Sequence, residues 1–137
     1  MIRRAALRLA VFSTAMVFFP FRSRALTPMH RDFMVYFDRN DAGITQDGRA
    51  VIDAIRNQFD LNLRLQLVGH RDTNETSPDD KDLSQRRAEA VLNALVASGI
   101  PADRINIRWA GAQEPVVLSS QAEYLNQVVS VGEDIAP

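Results

Sequence analysis

The sequence predicts an α/β sandwich in which two helices pack on one face of a four-stranded mixed sheet, in the order β-α-β-α-β-β. Two observations predict this fold. Short apolar runs alternate along the chain with longer stretches in which apolar residues recur at spacings of three and four. Two of the strand-like runs alternate apolar with polar residues, which places helices over one face of the sheet and water over the other.

The first strand and the first helix are predicted over residues 33–37 and 46–59. The aromatic and apolar run Phe33–Phe37 is typical of a short strand, and the turn-forming side chains of Asp38–Asp41 end it. Thr45 is the predicted N-cap of the helix, because its hydroxyl can accept a hydrogen bond from the first turn. The apolar stripe of this helix, which we expect to face the core, consists of Val51, Ala54, Ile55 and Phe59.

The second strand and the second helix flank a polar loop. Residues 61–69 alternate leucine with polar side chains, so they predict a strand with one covered face. Residues 70–82 form a loop rich in Asp, Asn, Thr and Ser, and loops of this kind often carry function. Asp82 is the predicted N-cap of the helix, and Gly99 is its predicted end. The expected buried face of this helix consists of Ala88, Val91, Leu92 and Leu95.

The last two strands are predicted over Ile105–Trp109 and Tyr124–Val131. The first of these runs alternates apolar and polar residues, and the second is rich in valine. We expect the Trp109 side chain to lie in the core, and a platform on which a sugar stacks is the alternative.

The N-terminal residues 1–25 are typical of a secretory signal peptide. A basic start is followed by the 13-residue apolar run Leu9–Phe21 and by Ser23-Arg24-Ala25, whose small residues suit signal peptidase. A spanning helix needs about 20 apolar residues. The sequence therefore favours cleavage after Ala25, with a retained anchor as the alternative. Both predict export, with residues 29–133 forming a domain in the periplasm or at the outer membrane.

Composition and charge exclude several classes of function. The chain has no cysteine, which excludes disulfides, thiolate metal sites and thiol catalysis. Five of the 16 basic residues and none of the 17 acidic residues lie in residues 1–25, which leaves the remainder a net charge of −6. Nucleic-acid binding depends on neutralising phosphates, so the predicted domain has no nucleic-acid partner.

Asp72 and Arg87 are the candidate binding residues, one at each end of the polar loop. Helical geometry places Arg87 at the edge of the buried face and Arg86 nearly opposite that face. A guanidinium takes a carboxylate through two parallel hydrogen bonds, and a carboxylate accepts from an ammonium. The pair therefore suits the head group of an amino acid. A plain salt bridge between Asp72 and Arg87 that closes the loop is the structural alternative.

Three segments carry a resemblance to a known family: Gly69-His-Arg-Asp72, Leu83-Ser-Gln-Arg-Arg-Ala-Glu-Ala-Val91 and Gly99-Ile-Pro-Ala-Asp-Arg-Ile105. They resemble the OmpA C-terminal-like family, which includes the peptidoglycan-associated lipoprotein and the flagellar stator proteins. The similarity runs from about Phe33 to Val131. The resemblance implies non-covalent binding of peptidoglycan through the diaminopimelate of its stem peptide, and tethering of the outer membrane or of an envelope complex to the cell wall. The implied ligand-binding residues are Asp72, Arg87, Phe37, Asp38 and Leu83.

The chain departs from the family pattern at several positions. Arg71 stands where the family has Thr, Asp80 stands where it has Asn, and the loop lacks the usual Gly and Tyr. The last strand lacks both arginines of the family motif, because Gln127 and Val128 occupy those positions. A degenerate domain that acts as a protein–protein interaction module is therefore an alternative to a peptidoglycan-binding domain.

Enzymatic chemistry has weak support in the sequence. His70 and His30 have no cluster of acids around them, so no metal site and no cofactor are predicted. Ser84 lies in the first turn of a helix, where serine more often serves the helix end than a catalytic triad. The prediction is a non-catalytic binding domain. A hydrolase acting on the cell wall is a further alternative, for which the sequence offers no located nucleophile or pair of catalytic carboxylates.

Overall fold

The computed structural model describes residues 32–77, 81–118 and 123–134. Two helices pack against one face of an open, four-stranded mixed sheet, which confirms the predicted fold class. The predicted signal peptide, residues 1–25, lies outside the described residues and stays a prediction. In the described part of the chain, neither helix has the length and apolar character that crossing a membrane requires.

The direction of the strands brings three loops to one edge of the sheet. The strands are β1 (Phe33–Tyr36), β2 (Leu65–Gly69), β3 (Ile105–Trp109) and β4 (Val128–Glu133). Their order is β1-β4-β2-β3, with β4 antiparallel to both of its neighbours and with β2 parallel to β3. Therefore β1, β2 and β3 all run in the same direction, and the loops that follow them begin at the same edge.

Helix α1 (Gln46–Gln58) begins where the sequence predicts. Thr45 is its N-cap, with the Oγ1 atom accepting from the Gly48 amide at 3.0 Å. The buried face is rotated slightly from the predicted stripe. Ile52 lies in the core beside Ile55, whereas the predicted Val51 is only half-buried. Ala54 and Phe59, also in the predicted stripe, are half-buried.

Helix α2 (Leu83–Ala97) also follows the prediction at both ends. Asp82 caps its start by accepting from the Ser84 amide at 2.9 Å. Gly99 ends it with a φ of +106°, a conformation that favours glycine over residues with a side chain. Three of the four predicted core residues, Ala88, Val91 and Leu95, are fully buried. The fourth, Leu92, is half-buried.

Strand β2 is shorter than predicted, because residues 61 and 62 form a turn and residues 63 and 64 have no regular secondary structure. The Asp60 side chain accepts from the Asn62 amide at 2.8 Å, and its carbonyl oxygen accepts from the Leu63 amide at 2.9 Å. These local hydrogen bonds satisfy amides that a strand would otherwise offer to a neighbour. As a result, Leu61 is 65% exposed and the strand begins at Leu65.

Two predictions for the C-terminal half are wrong. Residues Tyr124–Asn126 form a 3-10 helix, so β4 begins only at Val128. Trp109 is 45% exposed and does not lie in the core. It is the last residue of an edge strand. Along the strand face that carries it, Ile105 is buried, Ile107 is half-buried and Trp109 is exposed.

Candidate ligand-binding site

The loops that follow β1 and β2 meet beside the N-terminal half of α2. The first loop contributes Phe37 and Asp38, the second contributes Asp72, and α2 contributes Arg87. The meeting point lies at the shared edge of the sheet where β1, β2 and β3 end. Three of the elements that the sequence analysis connects with the ligand therefore converge at this edge.

Arg87 lies deeper than predicted: its side chain is 0% exposed, where the sequence places it at the edge of the buried face. Its guanidinium carries five N–H groups, and all five are used. Nε donates to the Asp41 carbonyl at 2.8 Å, one Nη donates to the Asp38 carbonyl at 3.0 Å, and the other donates to the His70 carbonyl at 3.2 Å. The remaining two N–H groups bind Glu75. Arg87 thus ties both loops to α2.

Glu75 is the ion-pair partner of Arg87, a role that was not predicted from the sequence. The two carboxylate oxygens accept from the two Nη atoms at 2.7 and 2.5 Å, and both side chains are 0% exposed. The same carboxylate accepts from the backbone amides of Asp72 at 2.9 Å and Asn40 at 2.8 Å. The salt bridge considered between Asp72 and Arg87 is therefore made by Glu75. A sequence signal existed, because an arginine on a buried helix face needs an acid.

Asp72 carries a buried oxygen atom that has no hydrogen-bond partner. The residue is 3% exposed, and its Oδ2 atom accepts no hydrogen bond from any described group. A buried carboxylate oxygen without a donor is unfavourable, so it indicates a position that a hydrogen-bond donor suits. Asp72 and Arg87 both donate to Oε1 of Glu75, the first through its backbone amide. The backbone of Asp72 and the guanidinium of Arg87 are therefore immediate neighbours of one atom.

Two of the other predicted contact residues, Phe37 and Asp38, touch the same guanidinium. The Phe37 ring is 5% exposed and its centroid lies 5.3 Å from Cζ of Arg87, within the range of a cation–π contact. Asp38 contributes its carbonyl oxygen to Arg87, while its own side chain is exposed. Leu83 is fully buried one helical turn before Arg87. Phe37 and Asp38 thus contact Arg87 directly, and Leu83 lies in the first turn of the same helix.

Arg71, the departure from the family threonine, fastens the second loop to α2. Its Nε atom donates to Oδ2 of Asp82 at 3.1 Å, and Nη1 approaches the Glu75 carbonyl at 3.5 Å. Burial raises the pKa of Asp82, but hydrogen bonds from Ser84 and then Arg71 outweigh it and hold that pKa below its ordinary value. Asp82 is therefore a charged cap that connects the loop to the helix.

Two polar residues considered for catalysis serve the structure. His70 is 6% exposed, and its Nδ1 lies 2.8 Å from the Glu114 carbonyl. Burial lowers the pKa of His70, so the neutral ring with a proton on Nδ1 is favoured. The Ser84 hydroxyl accepts from the Gly111 amide at 3.0 Å. Among residues 32–77, 81–118 and 123–134, no group of three or more His, Asp or Glu side chains could hold a metal ion.

An open groove of about 570 Å³ borders the site. Phe37 and Asp38 belong to its wall, and both contact Arg87. Tyr36 and Tyr124 also line the groove, with their ring centroids 6.5 Å apart. Only Phe37 or Asp38 would therefore separate a molecule in the groove from the buried guanidinium of Arg87.

Comparison with known proteins identifies relatives across most of the described chain. The profile of the OmpA family matches residues 36–127. The outer membrane protein A of Escherichia fergusonii is 30% identical over 108 residues, which cover 75% of this chain and 44% of that protein. The outer membrane protein 40 of Porphyromonas gingivalis is 34% identical over 87 residues, which cover 62% of this chain and 23% of that protein. The chain thus spans less than half the length of these curated relatives.

Solved structures share the fold. The peptidoglycan-associated lipoprotein of Burkholderia pseudomallei superposes with a TM-score of 0.66 at 23% identity, covering 74% of this chain and 89% of that one. The C-terminal domain of Helicobacter pylori MotB superposes with a TM-score of 0.65 at 17% identity, covering 75% and 86% of the two chains. The family profile spans well over half of the sequence, and the architecture matches these neighbours. The chain therefore belongs to the OmpA family.

Proposed function

We propose that this domain binds peptidoglycan without catalysis, through the amino-acid head group of diaminopimelate in the stem peptide. The observation that carries the proposal is the buried, unpartnered carboxylate oxygen of Asp72, a residue whose backbone amide shares the Oε1 atom of Glu75 with the guanidinium of Arg87. Membership of the OmpA family supports it, as does the structural similarity to a peptidoglycan-associated lipoprotein.

The chemistry of the ligand matches the two charges. The far end of diaminopimelate carries an ammonium and a carboxylate on one carbon. In the proposed complex Asp72 accepts from the ammonium, and Arg87 donates two parallel hydrogen bonds to the ligand carboxylate after that carboxylate has displaced Glu75. Phe37, Asp38 and Leu83 would complete the contacts. The groove lined by Phe37 and Asp38 would hold part of the stem peptide, and Asp72 and Arg87 lie outside its lining.

The proposed cellular role is attachment to the cell wall. A domain exported by its N-terminal segment would act in the periplasm or at the outer membrane, tethering that membrane or an envelope complex to peptidoglycan. The relatives described above are outer membrane proteins by name, which supports this location. Because binding is non-catalytic, incubation with isolated sacculi should leave the muropeptide profile unchanged.

Asp72→Asn gives the sharpest test. The amide has the same shape and removes the charge, and the Oδ2 atom has no hydrogen bond to lose. We expect the variant to fold normally and to lose about tenfold or more in affinity for isolated sacculi in a co-sedimentation assay. Asp53→Asn is the matched control, because Asp53 is exposed on α1. Equal sedimentation of the Asp72→Asn variant and the wild type would contradict the proposal.

Arg87 requires a variant that keeps its charge, because the buried Glu75 would otherwise lose its partner. Arg87→Lys retains the charge and removes the planar fork, so it should lower sacculus binding. Arg64→Ala is the control, because Arg64 is exposed at the opposite end of β2. If both Asp72→Asn and Arg87→Lys sedimented like the wild type, a protein-interaction module would be the better account of the domain.

A further inference from the structure

The Glu75 carboxylate lies in a cradle that a bound carboxylate ligand would suit. Four N–H groups converge on it: two from Arg87 and one each from the backbones of Asp72 and Asn40. The donors come from α2 and from both loops, and the carboxylate is 0% exposed. Two parallel guanidinium bonds and two amides are what a protein offers to an anion that it holds tightly. In this structure the chain supplies that anion itself.

The charges of the closed site are unequal. Asp72 and Glu75 contribute two carboxylates, and Arg87 contributes one guanidinium, with all three side chains buried. A ligand with an ammonium alone would neutralise the remaining carboxylate of Asp72. A ligand that carries a carboxylate beside its ammonium must also displace Glu75 from Arg87. The free energy gained when Arg87 binds the ligand carboxylate is therefore offset by the loss of the ion pair between Arg87 and Glu75.

We propose that Glu75 is an internal substitute for the ligand carboxylate, and that it determines the ligand specificity of the site. This inference rests on the proposed peptidoglycan binding. In the wild-type protein, a stem peptide that ends in an ammonium alone binds about as well as one that bears a carboxylate on the same carbon. Without Glu75, the cradle is vacant and the carboxylate-bearing ligand gains the four donors.

The loop that carries Glu75 is fastened at its outer side by contacts that an incoming ligand could replace. The Thr76 amide donates to the Asn40 side chain at 2.9 Å, and the Arg39 side chain donates to the Asn74 carbonyl at 3.2 Å. Both contacts are exposed, in contrast to the buried pair beneath them. Exposed hydrogen bonds of this kind contribute little net stability. The competition between ligand and Glu75 therefore centres on Arg87.

The test compares two soluble muropeptides of equal length, one ending in meso-diaminopimelate and the other in lysine, which has the ammonium and no second carboxylate. Isothermal titration calorimetry is run on the wild type, Glu75→Ala and Glu75→Gln. We expect wild-type affinities within about threefold of each other. Both variants should bind the diaminopimelate peptide more tightly, by about tenfold or more for Glu75→Ala, and leave lysine-peptide affinity within about threefold. Asp53→Asn controls for the lost charge.

A second measurement does not depend on peptidoglycan. Removing the Glu75 carboxylate leaves Arg87 and two backbone amides without an acceptor, so a small carboxylate should fill the cradle. Titration with sodium propionate should raise the melting temperature of Glu75→Ala. It should leave the wild type and Asp53→Asn unchanged at equal ionic strength, with sodium chloride as the reference. If Glu75→Ala does not fold without propionate, recovery of its folding on addition of propionate would equally show that a carboxylate fills the cradle.

The outcomes separate this inference from the proposed function. Wild-type binding with strong preference for diaminopimelate, or equal gains for both peptides on removing Glu75, would overturn the specificity role and keep peptidoglycan binding. Absence of propionate rescue would also overturn it. If no protein bound either peptide while propionate rescued Glu75→Ala, the cradle would be real but the proposed ligand wrong, and the inference would fall with it.

Discussion

Gly69 lies directly against the carbonyl oxygen of Ser84: a Cβ atom built on Gly69 would be 2.1 Å from that oxygen and 3.1 Å from Cβ of Ala88. The last residue of β2 therefore provides a bare backbone surface on which the first turns of α2 rest. Since Arg87 lies in those turns and the Asp72 loop starts one residue after Gly69, this contact holds the start of the loop close to the part of α2 that carries Arg87.

Gly69→Ala should destabilise the protein by about 2–3 kcal/mol, because the methyl group would push backbone against backbone and neither can turn away. Urea denaturation followed by circular dichroism measures the change. Gly43→Ala is the control. Its added Cβ would meet only the Asp41 carboxylate at 3.4 Å, an ordinary contact, so the free energy of unfolding should stay within about 0.5 kcal/mol. Equal stability of Gly69→Ala and the wild type would show that α2 shifts freely on the sheet.

The regular elements could be predicted because local signals and core packing agree. Thr45 and Asp82 cap the two helices, and Gly99 ends the second, as expected from the sequence. The prediction failed where a local hydrogen bond opposed the hydrophobic pattern. Leucine alternation favours a strand from Leu61, but Asp60 satisfies the next amides in a turn. The spacing of apolar residues does not show whether such a turn is more stable than a strand.

The candidate site was predicted only in part, because the position of a residue along the chain does not specify how deeply its side chain is buried. The loop that carries Asp72 lies against Arg87, yet the acid that pairs with Arg87 is Glu75. Asp72 is an equally reasonable partner from spacing, and the choice depends on how the loop closes. The exposure of Trp109 is a similar failure, since the sequence does not reveal that β3 lies at the sheet edge.

Thr45→Ala should lower the free energy of unfolding by about 1 kcal/mol, because the Gly48 amide loses its acceptor at the start of α1. Thr45→Ser keeps the hydroxyl and should remain within about 0.5 kcal/mol of the wild type. Thermal denaturation of the three proteins at one pH gives the comparison. If Thr45→Ala and Thr45→Ser lost the same free energy of unfolding, the methyl group of Thr45 and not its hydroxyl would be responsible.

His70 should make stability depend on pH below 6.5, the ordinary pKa of histidine. Burial lowers its pKa in the folded protein, so the unfolded chain binds a proton first as the pH falls. The contribution of the neutral ring is complete above pH 6.5 and is lost as the pH falls from there toward the folded pKa. Urea midpoints measured between pH 7.5 and pH 5 should fall more steeply for the wild type than for His70→Gln. Parallel curves would contradict the prediction.

The buried pair of Arg87 and Glu75 should show strong energetic coupling in a double-mutant cycle. Arg87→Met leaves a buried carboxylate unpaired, and Glu75→Gln leaves a buried guanidinium unpaired, so each should cost about 3 kcal/mol or more. The double variant removes both charges together, and its cost should fall short of the sum by about 1.5 kcal/mol or more. Urea denaturation gives all four free energies.

The exposed pair of Arg108 and Glu114 is the matched control for this cycle. Its atoms approach to 2.9 Å, which is comparable to the buried pair, but its side chains are 52% and 56% exposed. Water screens such a pair, so its coupling should be about 0.5 kcal/mol or less. One hydrogen bond joins the exposed pair and two join the buried pair, so the difference between the cycles measures burial together with bidentate pairing. Equal coupling in the two cycles would mean that the Arg87 site is solvated in solution, and that an incoming carboxylate meets little competition from Glu75.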